Sequence, residues 1–181
     1  MINNTEIYQD IPTWDNGVWT TTDFSSREDF ALFIRDLFLE PGKYNFDKTS
    51  LEFNAEAIKF KTTGVYCTSA FKSKDFIKYW DSEKKKCRKG VIYKSKKGTW
   101  FITRDYYMWL NFLPIFNKEI QKFGFADIRD AQYHMALYEV LAEVYYRHCA
   151  ILKKRQFGSS YFHMATDCRN SLWIEPTLLL W

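Results

Sequence analysis

Apolar and polar positions change period several times along this chain, and each change marks an element. From Ser25 the spacing is helical. Ser25-x-x-Glu28 has capping-box spacing, Phe30, Phe33, Ile34, Leu37 and Phe38 form one stripe, and Pro41-Gly42 closes it. Leu51, Phe53, Ile58 and Phe60 are only partly periodic and predict a weaker helix from Ser50 to about Lys61. A stronger one is predicted from Ser73 to Lys89, with Phe76, Ile77 and Trp80 on one face. Its Lys84-Lys85-Lys86 end is read as solvated, with cations suited to the helix C-terminal dipole, and Gly90 is the stop. Val91-Ile-Tyr-Lys and Thr99-Trp-Phe-Ile-Thr103 flank Ser-Lys-Lys-Gly and predict a hairpin. A short helix or turn from Arg104 then leads into an extended segment before Pro114. Asp127 or Asp130 is the expected cap of a long helix to about Tyr146, carrying Met135, Leu137, Tyr138, Leu141, Ala142 and Tyr145 near helical period. A strand over 148–152, a loop, and a helix from Ser159 complete the pattern. The first two dozen residues, with Pro12 and Gly17, read as an irregular arm packed through Trp14 and Trp19.

Composition narrows the class. The chain has 181 residues, 46% of them hydrophobic and 19% aromatic, enough for one substantial core, so it is not a disordered protein. With 26 basic against 22 acidic residues the net charge is +4, which permits contact with nucleic acid or nucleotide without arguing for it. Cys67, Cys87, Cys149 and Cys168 are widely separated and include no Cys-x-x-Cys pair, so neither a zinc cage nor a disulfide framework is indicated. His134, His148 and His163 are too scattered to form a metal constellation with them. No apolar run approaches the roughly 18 residues that span a bilayer, and the N-terminus lacks the regions of a signal peptide. A soluble, intracellular protein is expected.

The stretch Ala150-Ile-Leu-Lys-Lys-Arg-Gln-Phe-Gly-Ser-Ser160 is the strongest chemical signal. An apolar run feeds a compact loop with Gly158 at its exit, and Ser159-Ser160 open a helix. In a P-loop, backbone N–H groups and the helix N-terminus cradle phosphates, a lysine neutralises them and a hydroxyl residue ligates Mg²⁺. Aligning Gly158 with the second glycine of that loop puts Ser160 at the hydroxyl position, Ser159 where the lysine belongs and Lys153 where the first glycine belongs. The cation has moved to the front of the loop. A basic strand-to-helix turn with a crowding-relieving glycine accounts for the same residues.

In order, the chain carries the hairpin, Thr103-Arg-Asp-Tyr-Tyr107, Leu110-Asn-Phe-Leu-Pro-Ile115, the Asp130-Ala-Gln-Tyr133 helix and Lys153-Lys-Arg-Gln-Phe-Gly-Ser-Ser160. This succession resembles the N-terminal part of large terminase subunits of tailed phages, most nearly those of crAss-like phages, over about residues 64 to 165. The resemblance implies an α/β fold class in which an α+β N-terminal region leads into the start of a P-loop ATPase sheet. Residues 1–63 would form an N-terminal arm and helices, and 64–181 an incomplete ATPase domain. It also implies ATP and Mg²⁺ as cofactors, and double-stranded DNA, the phage portal and the small terminase subunit as partners, in the cytoplasm of a bacterial host and without a membrane. On this reading Lys153, with Lys154 as rival, binds phosphate. Arg155 stabilises charge on the γ-phosphate, and Gln156, Gly158 and Ser159 complete the loop. Ser160 holds the metal and Gln132 reads adenine, whose N6 and N7 suit a side-chain amide. Tyr133 or Tyr138 would stack on the base, and Lys94, Lys96, Lys97 and Trp100 could contact DNA phosphates.

Phosphoryl transfer also needs an acidic strand end to hold Mg²⁺ and orient water. The residues after Ser160, ending in the apolar Trp173-Ile-Glu-Pro-Thr-Leu-Leu-Leu-Trp181, lack the paired carboxylates. The expectation is therefore a truncated motor subunit with poor turnover of its own. A stand-alone interaction or regulatory protein with a terminase-like module, or a different enzyme or structural α+β domain whose loop binds no nucleotide, stays open.

Overall fold

The computed structural model describes residues 11–15, 18–22, 27–39, 53–95, 98–117, 121–153 and 158–173. Strands β1 (Ile11–Asp15) and β2 (Val18–Thr22) form an antiparallel hairpin in the segment expected to be an irregular arm. Asp15 pairs with Val18, so two residues, Asn16 and Gly17, connect the strands. Asn-Gly is a favoured pair for such a connection, and the pattern Ile-Pro-Thr-Trp-Asp-Asn-Gly-Val-Trp-Thr-Thr carries that signal. A second hairpin, β3 (Val91–Ser95) and β4 (Gly98–Ile102), forms where the sequence predicts it. β1 also pairs in parallel with β3, through Thr13 and Trp14 opposite Ile92 and Tyr93, giving one sheet in the order β2-β1-β3-β4. Pro12 lies outside that short parallel register, which explains how an inner strand accommodates a residue without an N–H.

Six helices accompany the described strands. α1 (Arg27–Leu39) follows the predicted stripe and buries Phe30, Ile34 and Leu37. Phe30 meets Phe101 of β4 edge to face at 5.6 Å. α2 (Ala55–Thr63) replaces the longer weak helix expected from Ser50. α3 (Lys74–Lys89) is capped by Ser73, whose hydroxyl accepts from the Phe76 N–H at 3.2 Å. Gly90 ends it with φ +82°, and a Cβ there would stand 2.7 Å from the Ile102 carbonyl oxygen, so the turn from α3 into β3 requires glycine. α3 does not bury the face its apolar residues predict. Ile77 is half exposed, while Glu83, Lys86 and Cys87 are buried. The expected solvated lysine end is thus corrected at Lys86, which pairs with Glu83, as the Tyr107 hydroxyl does at 2.6 Å.

α4 (Arg104–Asn111) is almost wholly buried and lies against α3 and α6. A small hairpin, β5 (Ile115–Asn117) and β6 (Lys122–Gly124), follows it. α5 (Asp130–Val144) starts at Asp130, with Arg129 and not an aspartate in the cap position. Residues 147–153 contain neither helix nor strand, so the expected strand over 148–152 does not form. Ile151 is half-buried and Leu152 fully exposed, and no described strand lies beside them to complete a ladder. α6 (Ser159–Trp173) begins where predicted. The arrangement is α+β, with one core fed by α1, the sheet, α4, α5 and α6. Among the described residues no strand lies between α5 and α6. Among the described residues no helix is long and apolar enough to cross a membrane.

Candidate functional site

Chemistry at the Gly158 turn depends on what holds its neighbours, and most of that hold comes from α4. Thr103 caps this helix, accepting from the Tyr106 N–H at 3.3 Å. Arg104 bonds Glu143 of α5. Asp105 accepts from Arg169 Nε of α6 at 2.7 Å. The Tyr106 hydroxyl donates to the Arg129 carbonyl oxygen at 3.3 Å and accepts from the Arg129 N–H at 3.1 Å. Tyr107 reaches Glu83. Every residue of Thr103-Arg-Asp-Tyr-Tyr107 therefore ties α4 to itself, to α3, to α5 or to α6. Burial lowers the pKa of the Arg169 guanidinium, opposed by the Asp105 charge, and raises that of Glu83 against the pull of Lys86.

By fixing the Arg129 backbone, Tyr106 sets where α5 begins. The first turn of that helix carries Gln132, buried, toward Gly158, whose φ is +82°. A Cβ on Gly158 would stand 2.9 Å from Gln132 Nε2, so the amide occupies the space a side chain would need. The Gly158 carbonyl accepts from the Phe162 N–H at 3.1 Å, opening α6, and buried Phe162 packs beside Trp109 and Tyr106. Gln132 and Gly158 share a cavity of about 360 Å³ with Arg129, Tyr161, Phe125 and the β5–β6 hairpin. That volume lies within the range of small-molecule sites.

Ser159, the next residue, faces a different space. It lines a cavity of about 440 Å³ together with Lys153, Cys149, Glu139 and His163. His163 Nδ1 lies 2.7 Å from the Ser159 carbonyl and Nε2 lies 3.0 Å from Glu139. A carbonyl only accepts, so Nδ1 carries a proton, and the contact with Glu139 needs a second proton on either partner. Burial raises the Glu139 carboxyl above its ordinary range, partly offset by His163.

Of the residues expected to form the site, Gln132 and Gly158 are brought together, and Lys153 and Ser159 border the neighbouring cavity. Ser160 is exposed on the first turn of α6. Lys154, Arg155 and Gln156 lie outside the described residues, as do Lys96 and Lys97 and the side chain of Lys94. Neither tyrosine expected to stack on a base lines the Gln132 cavity. Tyr133 is buried against Tyr106, and Tyr138 lies over Phe38. Trp100 is buried against Phe53 instead of facing DNA. The aromatic walls belong to Trp109, Phe125 and Tyr161, and the periodicity did not distinguish the last two from ordinary surface residues. Among the described residues no three His, Cys, Asp or Glu side chains are grouped to share an ion.

Comparison with protein-family models, with curated proteins and with solved structures gives no match.

Proposed function

We propose that this chain is the N-terminal part of a phage terminase large subunit, the ATP-driven DNA-packaging motor, and that it binds nucleotide at the Gly158 turn. The adenine base enters the 360 Å³ cavity, where Gln132 meets N6 and N7 on its Hoogsteen edge and Phe125 and Tyr161 offer apolar contact. The phosphates lie at the N-terminus of α6, whose dipole and first N–H groups favour anions, and Lys153 on the neighbouring cavity is the cation assigned to them. The observation that carries this reading is the approach of the Gln132 amide to Gly158. Residues 26 positions apart, matched separately to a base-reading glutamine and a phosphate-loop glycine, stand at one cavity. Tyr106 acts as the positioning residue for that pair.

Photolabelling with 8-azido-ATP followed by peptide mapping tests the assignment. Label is expected in the peptides holding 123–132 and 158–161, and excess ATP should suppress it. Label confined to other parts of the chain, or unaffected by ATP, contradicts the proposal.

A further inference from the structure

A second surface lies on the α2–α3 side and does not depend on the nucleotide reading. It begins with Phe71, 76% exposed, on a turn closed by the Ser73 N–H to the Ala70 carbonyl. Lys72 in that turn has φ +62°, a left-handed conformation unfavourable for a side chain other than glycine or asparagine. Such strain persists only where neighbouring structure imposes it. Behind Phe71 runs a continuous series of rings. Phe76 meets Phe71 at 5.3 Å, Trp80 meets Phe76 at 6.2 Å, and Tyr66 joins Trp80 to Phe60. None of these rings is fully buried, and Ile77 and Val65 beside them in the chain are 51% and 44% exposed. Phe71, Ile77 and Val65 are thus open apolar side chains, and the first is backed by the ring series.

Its border is cationic. Lys72 lies over the Phe71 ring at 5.4 Å, Lys59 over Tyr79 at 4.3 Å and Lys61 over Phe125 at 5.7 Å. Lys74 and Lys78 stand exposed on α3 next to Phe71 and Ile77, against Asp75 and Asp81 on the same helix. Glu56 is already engaged by Lys59 and Tyr79. The ring contacts are mostly edge to face, with interplanar angles of 71° for Phe71–Phe76, 62° for Phe76–Trp80 and 71° for Tyr66–Trp80. Those contacts occupy ring faces on which bases would stack, while Ile77 and Val65 add aliphatic surface that bases do not use. Apolar anchors with carboxylates around them complement both features.

We propose that this face docks an acidic amphipathic segment of a partner protein, apolar side chains against Phe71, Ile77 and Val65 and carboxylates toward Lys72, Lys74 and Lys78. Panning a library of random 16-residue peptides on the purified chain tests it. Enriched peptides should combine Leu, Phe or Ile at helical spacing with Asp and Glu, and be poor in Lys and Arg. Fluorescence anisotropy should show their affinity falling at least tenfold in Phe71→Ser, an exposed position whose replacement leaves the core intact. Lys78→Glu should weaken acidic peptides and not neutral ones. Enrichment without acidic bias, or binding indifferent to Phe71→Ser, overturns the proposal. A 20-nucleotide oligo-dT whose binding is lost in both variants, with no peptide enriched, would assign the face to single-stranded nucleic acid instead.

Discussion

The start of α4 and the Gly158 turn both gather polar residues, yet they use them in opposite ways. Around Arg104–Tyr107 each polar side chain is turned onto another element: Arg104 onto Glu143, Asp105 onto Arg169, Tyr106 onto the Arg129 backbone, Tyr107 onto Glu83. Around Gly158 the polar residues border open volume, with Gln132 and Arg129 on one cavity and Lys153 and His163 on the other. A motif rich in Arg, Asp and Tyr resembles catalytic machinery in a sequence, but here it is the frame. The less conspicuous Gln132 and Gly158 form the candidate site, and the frame aims them through Tyr106.

The largest effect should come from breaking the frame. Arg169→Ala takes away the 2.7 Å partner of Asp105 and leaves it only the longer 3.5 Å contact with Arg104, a break in a buried pair that costs up to about 3–5 kcal/mol. Urea unfolding should show that loss, and Arg169→Met paired with Asp105→Leu should recover much of it. A loss under ~1 kcal/mol would mean that this buried pair does not hold α4 to α6.

Gly158→Ala perturbs the site more than the frame. The left-handed backbone costs about 1–2 kcal/mol with a Cβ present, and the added methyl displaces the Gln132 amide. Stability should fall by that amount, while the double variant with Gln132→Ala should be no worse than the single. If the double variant were the sum of two independent losses, the two residues would not share the space assigned to them.

A smaller effect is expected from Glu139→Gln. Burial raises this carboxyl above its ordinary value of 4.5, so the folded chain binds more protons than the unfolded one just above that pH. The contribution is present below the ordinary value and is lost as pH rises through the folded value. Thermal unfolding from pH 4 to 7 should show a decline in Tm that is flatter in Glu139→Gln. Identical slopes would remove the proton from the His163–Glu139 contact.

Much of this architecture was legible in the chain. α1, α3, α5, α6 and the β3–β4 hairpin follow from apolar spacing, Ser73 and Gly90, because each of those signals is local. Where partners distant in sequence decide, the pattern misled. Lys86 reads as part of a solvated lysine end, but the Glu83 it pairs with is held in the interior by the hydroxyl of Tyr107, 24 residues further on. Ile151-Leu152 reads as a strand, but a strand needs a neighbour and none is described there. The β1–β2 hairpin was announced by Asn16-Gly17 and obscured by Pro12, which argues against a strand in any single-segment reading. At the site, Gln132 and Gly158 were visible as types in a motif order. Phe125 and Tyr161 were not, since nothing in their spacing separates a cavity wall from a surface ring.

Whether the Gly158 turn binds nucleotide is tested most directly by titrating a fluorescent ATP analogue into the purified chain and three variants, Gln132→Ala, Lys153→Ala and Lys154→Ala. Saturable binding is predicted for the unaltered chain. A charge-assisted phosphate contact supplies about 1.5–3 kcal/mol, so Lys153→Ala should weaken binding roughly ten- to a hundredfold. Lys154→Ala should weaken it less, and Gln132→Ala should abolish any preference for the ATP over the GTP analogue. No saturation in the unaltered chain, or affinities unchanged across the three variants, would contradict the account.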